Sequence, residues 1–483
     1  MPPYPRYKPT SIPWIGQVPQ HWEVKKLSRV VDPNRPITYG IVQAGEKLEE
    51  GIPYIRPADM THDRIPGPEQ LPKTSPEIAA AYTRSIVRPG DLVVSIGPSY
   101  GKVAIVPNGL EGANLTQGTA RVAINEHEAD TDFMFWMLHS EEAKYFWTTR
   151  SVGATFAALS LEGLSGTIVC VPPKAEQTHI ARYLDHKTAL IDAYLARKRR
   201  MLALLKEHRQ SLISRAVTKG LDPTVKMKDS GIEWIGEVPE HWEVKKLKFV
   251  TPAITVGIVV TPAKYYVDQG VPCLRTLNIS SNFIDLENLV YISSESNELL
   301  SKSQIHEGDV LVARTGKTGS AVVVPKSLGG ANCIDLLIIR KGEQLLSDYL
   351  HFFLTSSVAE TQIENLSVGA IQAHFNTSTL SELVLPVPSI EEQRELLSKL
   401  NEKTILIDDE LTRIERSMVR VQEYRQGLIS AVVTGKVDVR QVEVPELDRM
   451  IGRSGDQLME YGEPEGVSMA ADEESRYNGP EVP

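Results

Sequence analysis

The chain has 483 residues, with 52 Lys+Arg against 62 Asp+Glu, a formal net charge of −10, 41% hydrophobic and 24% charged residues. At about 100–200 residues per domain, this length predicts two to four domains, and the composition excludes wholesale disorder. No run approaches the ~20 apolar residues of a membrane span, and the start, Met1 to Pro9, lacks the apolar core of a secretory signal.

Cys170, Cys273 and Cys333 lie far apart, without C-x-x-C spacing. They predict reduced, buried thiols in a cytoplasmic protein, not a disulfide or zinc framework. The acidic balance speaks against nucleic acid at first sight, because phosphate binding leaves a basic footprint. Where the acid lies along the chain decides what it means.

In chain order, the first marked feature is WIGQVPQHWEVKKL at 14–27, and it returns as WIGEVPEHWEVKKL at 234–247. The correspondence continues in order. Gly51-Ile-Pro-Tyr-Ile-Arg56 matches Gly270-Val-Pro-Cys-Leu-Arg275, and PGDLVVSIGPSYGKVAIVP (89–107) matches EGDVLVARTGKTGSAVVVP (307–325). Ser151-Val-Gly-Ala154 matches Ser367-Val-Gly-Ala370, and VPPKAEQ (171–177) matches VPSIEEQ (387–393). SLISRAVT (211–218) matches GLISAVVT (427–434) more loosely. The preserved order and near-constant offset mark a tandem duplication of a unit far longer than a solenoid repeat.

Each unit opens with a Gly- and Pro-punctuated stretch. The segments 92–96, 102–106, 309–313 and 321–324 are predicted strands, and 132–148 and 347–365 predicted helical patches. Each unit then ends in a long helix. Steps of four and three residues place Leu184, Ile191, Leu195, Leu202, Leu205 and Leu212 on one seam of the first. Leu400, Ile407, Leu411, Ile414, Met418, Val421 and Leu428 share the seam of the second. Such stripes need one partner helix each, and the order globule–helix–globule–helix favours antiparallel pairing of the two. The predicted fold class is α+β: a duplicated mixed α/β globule, each copy followed by a helix, with the helices in an antiparallel coiled coil of pseudo-twofold symmetry. The predicted domains are 1–173, the helix 174–221, 222–386, the helix 387–440, and an acidic tail at 441–483.

The chemical motifs are sparse. Gly97 to Lys102 and Gly316 to Gly319 miss the Walker spacing, so both read as turns presenting polar side chains: Ser95, Ser99, Tyr100 and Lys102 against Arg314, Thr315, Lys317 and Thr318. Arg and Lys suit guanine edges, and Ser and Thr suit bases or phosphates. Asp91 and Asp309 read as turn residues, and His21-Trp22 and His241-Trp242 as packed anchors. The basic run 197–200 spreads around a helix and reads as a solvated or subunit-binding face. The alternatives are a stand-alone methyltransferase, which lacks its Asn-Pro-Pro-Tyr signature, and a two-headed scaffold binding something other than DNA.

The duplicated W-I-G-x-V-P-x-H-W-E-V-K-K-L openings, the Gly-Asp turns, the V-P-x-x-x-E-Q helix starts and the G-L-I-S-A-V-V-T-G-K exit resemble the specificity subunits of type I restriction–modification systems, over residues 11–440. The resemblance implies two target-recognition domains that read the halves of a bipartite DNA site. It further implies paired helices that space the readers and dock two methyltransferase subunits, with restriction/translocase subunits joining for cleavage. Catalysis, with S-adenosylmethionine, ATP and Mg, would belong to those partners. The DNA-contacting positions it implies are the loops at 95–102 and 314–319, and the loops after Ser151 and Ser367, with Thr155, Gln372 and His374.

The charge then divides informatively: −2 in 1–173, +6 in 174–222, −5 in 223–386, −1 in 387–440 and −8 in the tail. The body is nearly neutral. This predicts weak DNA binding by the isolated chain and reliance on partners for phosphate attraction, with the Gly/Glu/Pro-bearing tail expected to be disordered.

Overall fold

The computed structural model describes residues 2–61, 63–151, 158–280, 283–314, 320–367 and 376–445. Two compact units emerge: Met1–Lys198 with the chain from Arg416 on, and Arg199–Glu415. The division cuts both long helices, because each half-helix packs against a different globule.

In the first unit a four-stranded antiparallel sheet runs Thr38–Tyr39, Thr119–Val122, Leu92–Ser95, Val103–Ile105. Beside it Ile52–Ile55 pairs with Lys73–Thr74 and, in parallel, with Asn114–Leu115. The second unit repeats the sheet as Ile254–Val256, Leu336–Ile339, Val310–Ala313, Ala321–Val323, with Val271–Leu274 inside a second four-stranded sheet, between Val290–Ile292 and Asn332–Cys333. All four residues of Leu92–Ser95 and of Val310–Ala313 are buried, as in central strands covered on both faces. The four predicted strands are present, each shortened by a residue or two.

The predicted helical patches are each two helices. Thr131–Leu138 is followed by Glu141–Arg150, and Ser347–Leu354 by Ser357–Ser367. Apolar periodicity runs through both breaks and hides them. Ser140 makes the first break by capping: its hydroxyl accepts the Ala143 N–H and donates to the Met137 carbonyl.

The long helices span Lys174–Lys219 and Ile390–Val433. In the first unit Ile180, Tyr183 and Leu184 share a core with Leu428, Ile429 and Val432. In the second, Ile213, Ala216 and Val217 share one with Leu396, Leu397 and Leu400. Within each unit the start of one long helix therefore lies beside the end of the other, the antiparallel arrangement. Leu184, Leu195, Leu400, Leu411, Ile414 and Leu428 are buried. Ile191, Leu202, Leu205, Leu212, Ile407, Met418 and Val421 are half-buried, so every predicted seam position is shielded from water.

Candidate nucleic-acid interface

The duplicated motifs first prove to be a frame. Glu176, in the first turn of the first long helix, accepts from Trp22 Nε1 (3.1 Å) and Tyr4 Oη (2.6 Å) on one oxygen, and its other oxygen lies 2.8 Å from His21 Nε2. Glu392 repeats the clamp on Trp242 Nε1 (2.9 Å) and His241 Nε2 (3.0 Å). Burial and this carboxylate raise the Tyr4 pKa above its ordinary value. The adjacent Gln177 and Gln393 close the helix starts by donating to the carbonyls of Pro172 and Pro388. The opening and the V-P-x-x-x-E-Q motif thus belong to one joint.

The Leu-Ile-Ser exits form a second joint. Ser430 Oγ accepts the Glu141 N–H and Gln426 donates to the His139 carbonyl. In the second unit Ser214 accepts from Ser357 N and Gln210 donates to Thr355 O. The Gly-Asp turns are a third: buried Asp91 holds Arg35 through two hydrogen bonds (2.8 and 2.6 Å) and Asp309 holds Arg340 at 2.6 Å. Turn chemistry is present too, in Arg88 N and His306 N bonding those carboxylates. The sequence reading missed the arginines because they come from non-equivalent positions in the two copies.

On this frame the loops at one end of each sheet converge. In the first unit Ile96 N and Gly97 N both donate to Gly118 O, and Leu159 N donates to Ile96 O. The Lys102 ammonium reaches the carbonyls of Pro57 (2.8 Å) and Met60 (2.6 Å). The segments 57–60, 96–102, 116–118 and the return at 159 therefore meet. In the second unit Arg314 reaches Asp335 at 2.6 Å, and Thr276 Oγ1 donates to the Asp335 carbonyl. Asp335 sits at φ 53, the left-handed region that a short polar side chain tolerates.

The predicted DNA contacts separate accordingly. Ser99 is exposed and Tyr100 half-buried. Ser95 requires correction: it is fully buried, donates to Ser99 O and accepts from Lys102 N, so it shapes the loop rather than facing a ligand. Lys102 likewise spends its ammonium on carbonyls. Arg314 is largely shielded beside Asp335. Thr155, Thr315, Lys317, Thr318, Gln372 and His374 lie outside the described residues. Among the described residues no His, Cys, Asp and Glu group could hold a metal ion, and no helix is long and apolar enough to cross a membrane. Arg197, Arg199 and Arg200 of the basic run are exposed.

One repeat escaped the sequence reading. Thr38-Tyr-Gly-Ile-Val42 returns as Thr255-Val-Gly-Ile-Val259, in order between its flanking repeats but two or three residues off their spacing. A Cβ on Gly40 would stand 2.0 Å from Leu115 O, and one on Gly257 2.5 Å from Cys333 O, so only glycine permits these backbone crossings. Both lead into the loop cluster. The repeat itself was the available signal.

Two copies of one α+β module, each offering a different loop surface on the same frame, define a paired recognition protein. The chain belongs to the type I restriction modification DNA specificity domain family, whose pattern matches residues 19–198 and again 239–416. It is similar to the type I restriction enzyme EcoBI specificity subunit of Escherichia coli, 25% identical over 415 residues that cover 83% of each chain. The MjaVIII specificity subunit of Methanocaldococcus jannaschii is 22% identical, over 88% of this chain and 95% of its own. Among solved structures, a chain from work on complex assembly and conformational transition of the type I R-M system aligns with a TM-score of 0.62 at 18% identity. That alignment covers 87% of this chain and 99% of the other, and establishes the shared fold.

Proposed function

We propose that this chain is the DNA-reading subunit of a type I restriction–modification complex, each globule recognising one half of a bipartite, asymmetric site. The observation that carries the reading is the contrast between frame and loops. The clamps at Glu176 and Glu392 and the serines at 214 and 430 are duplicated, whereas the loop ends differ: Ile96 and Gln117 in one copy stand where Arg314 and Asp335 stand in the other. Two readers of different sequences on one scaffold require that pattern.

The paired helices fix the gap between half-sites and dock two methyltransferase subunits, and restriction/translocase subunits join for cleavage. Methyl transfer and ATP-driven cleavage, with S-adenosylmethionine, ATP and Mg, fall to those partners in the cytoplasm. A methyltransferase acting on a duplex base flips it from the stack, so the reader's task is placement. The near-neutral body, net −2 without its tail, suits a reader that borrows phosphate contacts from its partners.

The experiment is a spacer test. The first helix ends at Lys219, so residues inserted near Leu221 would lengthen a connector and leave the helix unchanged. Four residues inserted after Arg199 and four after Glu415 lengthen each helix by about 6 Å. The assembled complex should then methylate a site whose gap is about two base pairs longer, with both half-sites unchanged. Methylation at the original gap refutes the ruler. DNA retention by the complex should also fall with salt, with a log–log slope of about −0.9 per neutralised phosphate. A scaffold that does not bind DNA would show no such dependence.

A further inference from the structure

We infer that Val42 and Val259 are a duplicated pair of base contacts, each packing its methyl groups against a thymine C5 methyl in the major groove of its own half-site. The inference rests on the DNA-reading function proposed above and deepens it. The preceding isoleucines are buried anchors, whereas Val42 is 47% and Val259 49% exposed. A single exposed valine is ordinary on any surface. The weight comes from its return, equally exposed, at the same point of both copies: the repeated Thr, Gly and Ile before it belong to the backbone crossing and its anchor, whereas solvent-facing positions nearby have diverged. Tyr39 faces Val256, Gln43 faces Val260, and Ala58 faces Leu277 in the alignment of the two copies.

The backbone beneath each valine is held tightly. Ile41 N donates to Leu115 O at 2.7 Å, and Gln117 N donates to Ile41 O at 2.9 Å. In the second unit Ile258 N donates to Cys333 O at 2.8 Å, and Asp335 N to Ile258 O at 3.2 Å. With a glycine crossing on one side and a β-branched side chain stiff at χ1 on the other, each valine presents its methyls in one direction. The Gln117 and Asp335 segments it is tied to are the same ones that meet the 96–102 loop and Arg314.

The chemistry selects the ligand group. In the major groove thymine alone among the standard bases offers a methyl, and small apolar side chains are its complement. Insertion between base pairs is the work of longer apolar wedges; valine ends one carbon beyond Cβ, too short to unstack a step.

The test uses the full chain assembled with its methyltransferase partner and duplexes carrying the complex's mapped methylation site, with each thymine replaced in turn by deoxyuridine, which lacks only the methyl. One thymine per half-site should weaken binding about three- to five-fold when replaced, as expected for one buried methyl. Val42→Ala should cost a similar factor on the thymine duplex and almost nothing further when its own half-site carries deoxyuridine. Val259→Ala should do the same in the other half. Val42→Thr, of the same shape, keeps one methyl and should fall between. Equal losses on thymine and deoxyuridine duplexes, a site indifferent to every replacement, or weakened assembly with the methyltransferase would each overturn the assignment. A wild-type complex without sequence preference would instead bring down the DNA reading itself.

Discussion

Arg209 meets Asp408 through two hydrogen bonds, Nε to Oδ1 at 2.8 Å and Nη2 to Oδ2 at 3.1 Å. Arg425 and Asp192 repeat the pair at 3.1 and 3.3 Å in the other unit. Both arginines occupy polar positions of largely apolar helix seams, at the four- and three-residue steps that run from Leu205 to Leu212 and from Val421 to Leu428, where a charge without a partner would be costly and a paired one sets register. The fork geometry ties the start of one long helix to the end of the other.

Because the aspartates are nearly half-exposed, each pair stabilises by only about 1 kcal/mol after solvent screening. Arg209→Ala and Arg425→Ala should each lower the urea midpoint by a corresponding amount. The charge reversal Arg209→Asp with Asp408→Arg should recover part of the loss. No recovery would show that the arginine acts through packing alone.

The clamps predict an order of effects. Glu176→Ala leaves the buried Trp22 N–H and the Tyr4 hydroxyl without their acceptor, at a cost of about 2–4 kcal/mol. Glu392→Ala should cost about half as much, since Glu392 is more exposed and Thr224 stands where the second copy would need a tyrosine. Thermal unfolding of the two variants checks the ranking, and equal losses would contradict it.

His351 predicts a pH dependence. Burial pushes its imidazole below the ordinary value, with nearby Arg209 adding to the effect and Asp348 and a bond to the Ala321 backbone opposing it. The folded state therefore favours neutral His351, and the unfolded chain binds more protons just below the ordinary pKa of about 6.5. The stability from this residue is complete above that value and is lost as the pH falls from it toward the folded pKa. Phe135 occupies the equivalent position in the first copy. His351→Phe should flatten the fall of melting temperature between about pH 7 and 5.5; the slope left over includes His186, also lowered by burial. An unchanged slope would refute the assignment.

Burial pushes the Cys170 and Cys273 thiols up to about 12, and Cys333 higher still. A disulfide-exchange reagent at pH 8 should label all three in urea and none at a comparable rate in the folded protein. Rapid labelling of the native chain would contradict the buried positions.

The frame was legible in the sequence because duplication exposes it: a repeated His-Trp, Glu-Gln or Leu-Ile-Ser stands out wherever two copies must satisfy the same contact. Seam positions from Leu184 to Leu428 were legible for the related reason that helical periodicity reports burial. The loop surface was less so. Ser95 and Lys102 looked like ligand contacts by residue type, but their hydrogen bonds close the loop and reach carbonyls more than forty residues away in the chain. Arg35 and Arg340 do one job from two unrelated positions, which no repeat comparison shows. Val42 and Val259 carried a repeat signal, but only their exposure in the fold sets them apart from core residues.

The central claim, two readers on one chain, is tested most directly by mapping methylated adenines across the host genome with and without this chain. Two readers on one chain require a motif present only with the chain, made of two different half-sites separated by a gap of fixed length. A continuous or palindromic motif, or a methylation map that does not change when the chain is removed, would contradict it.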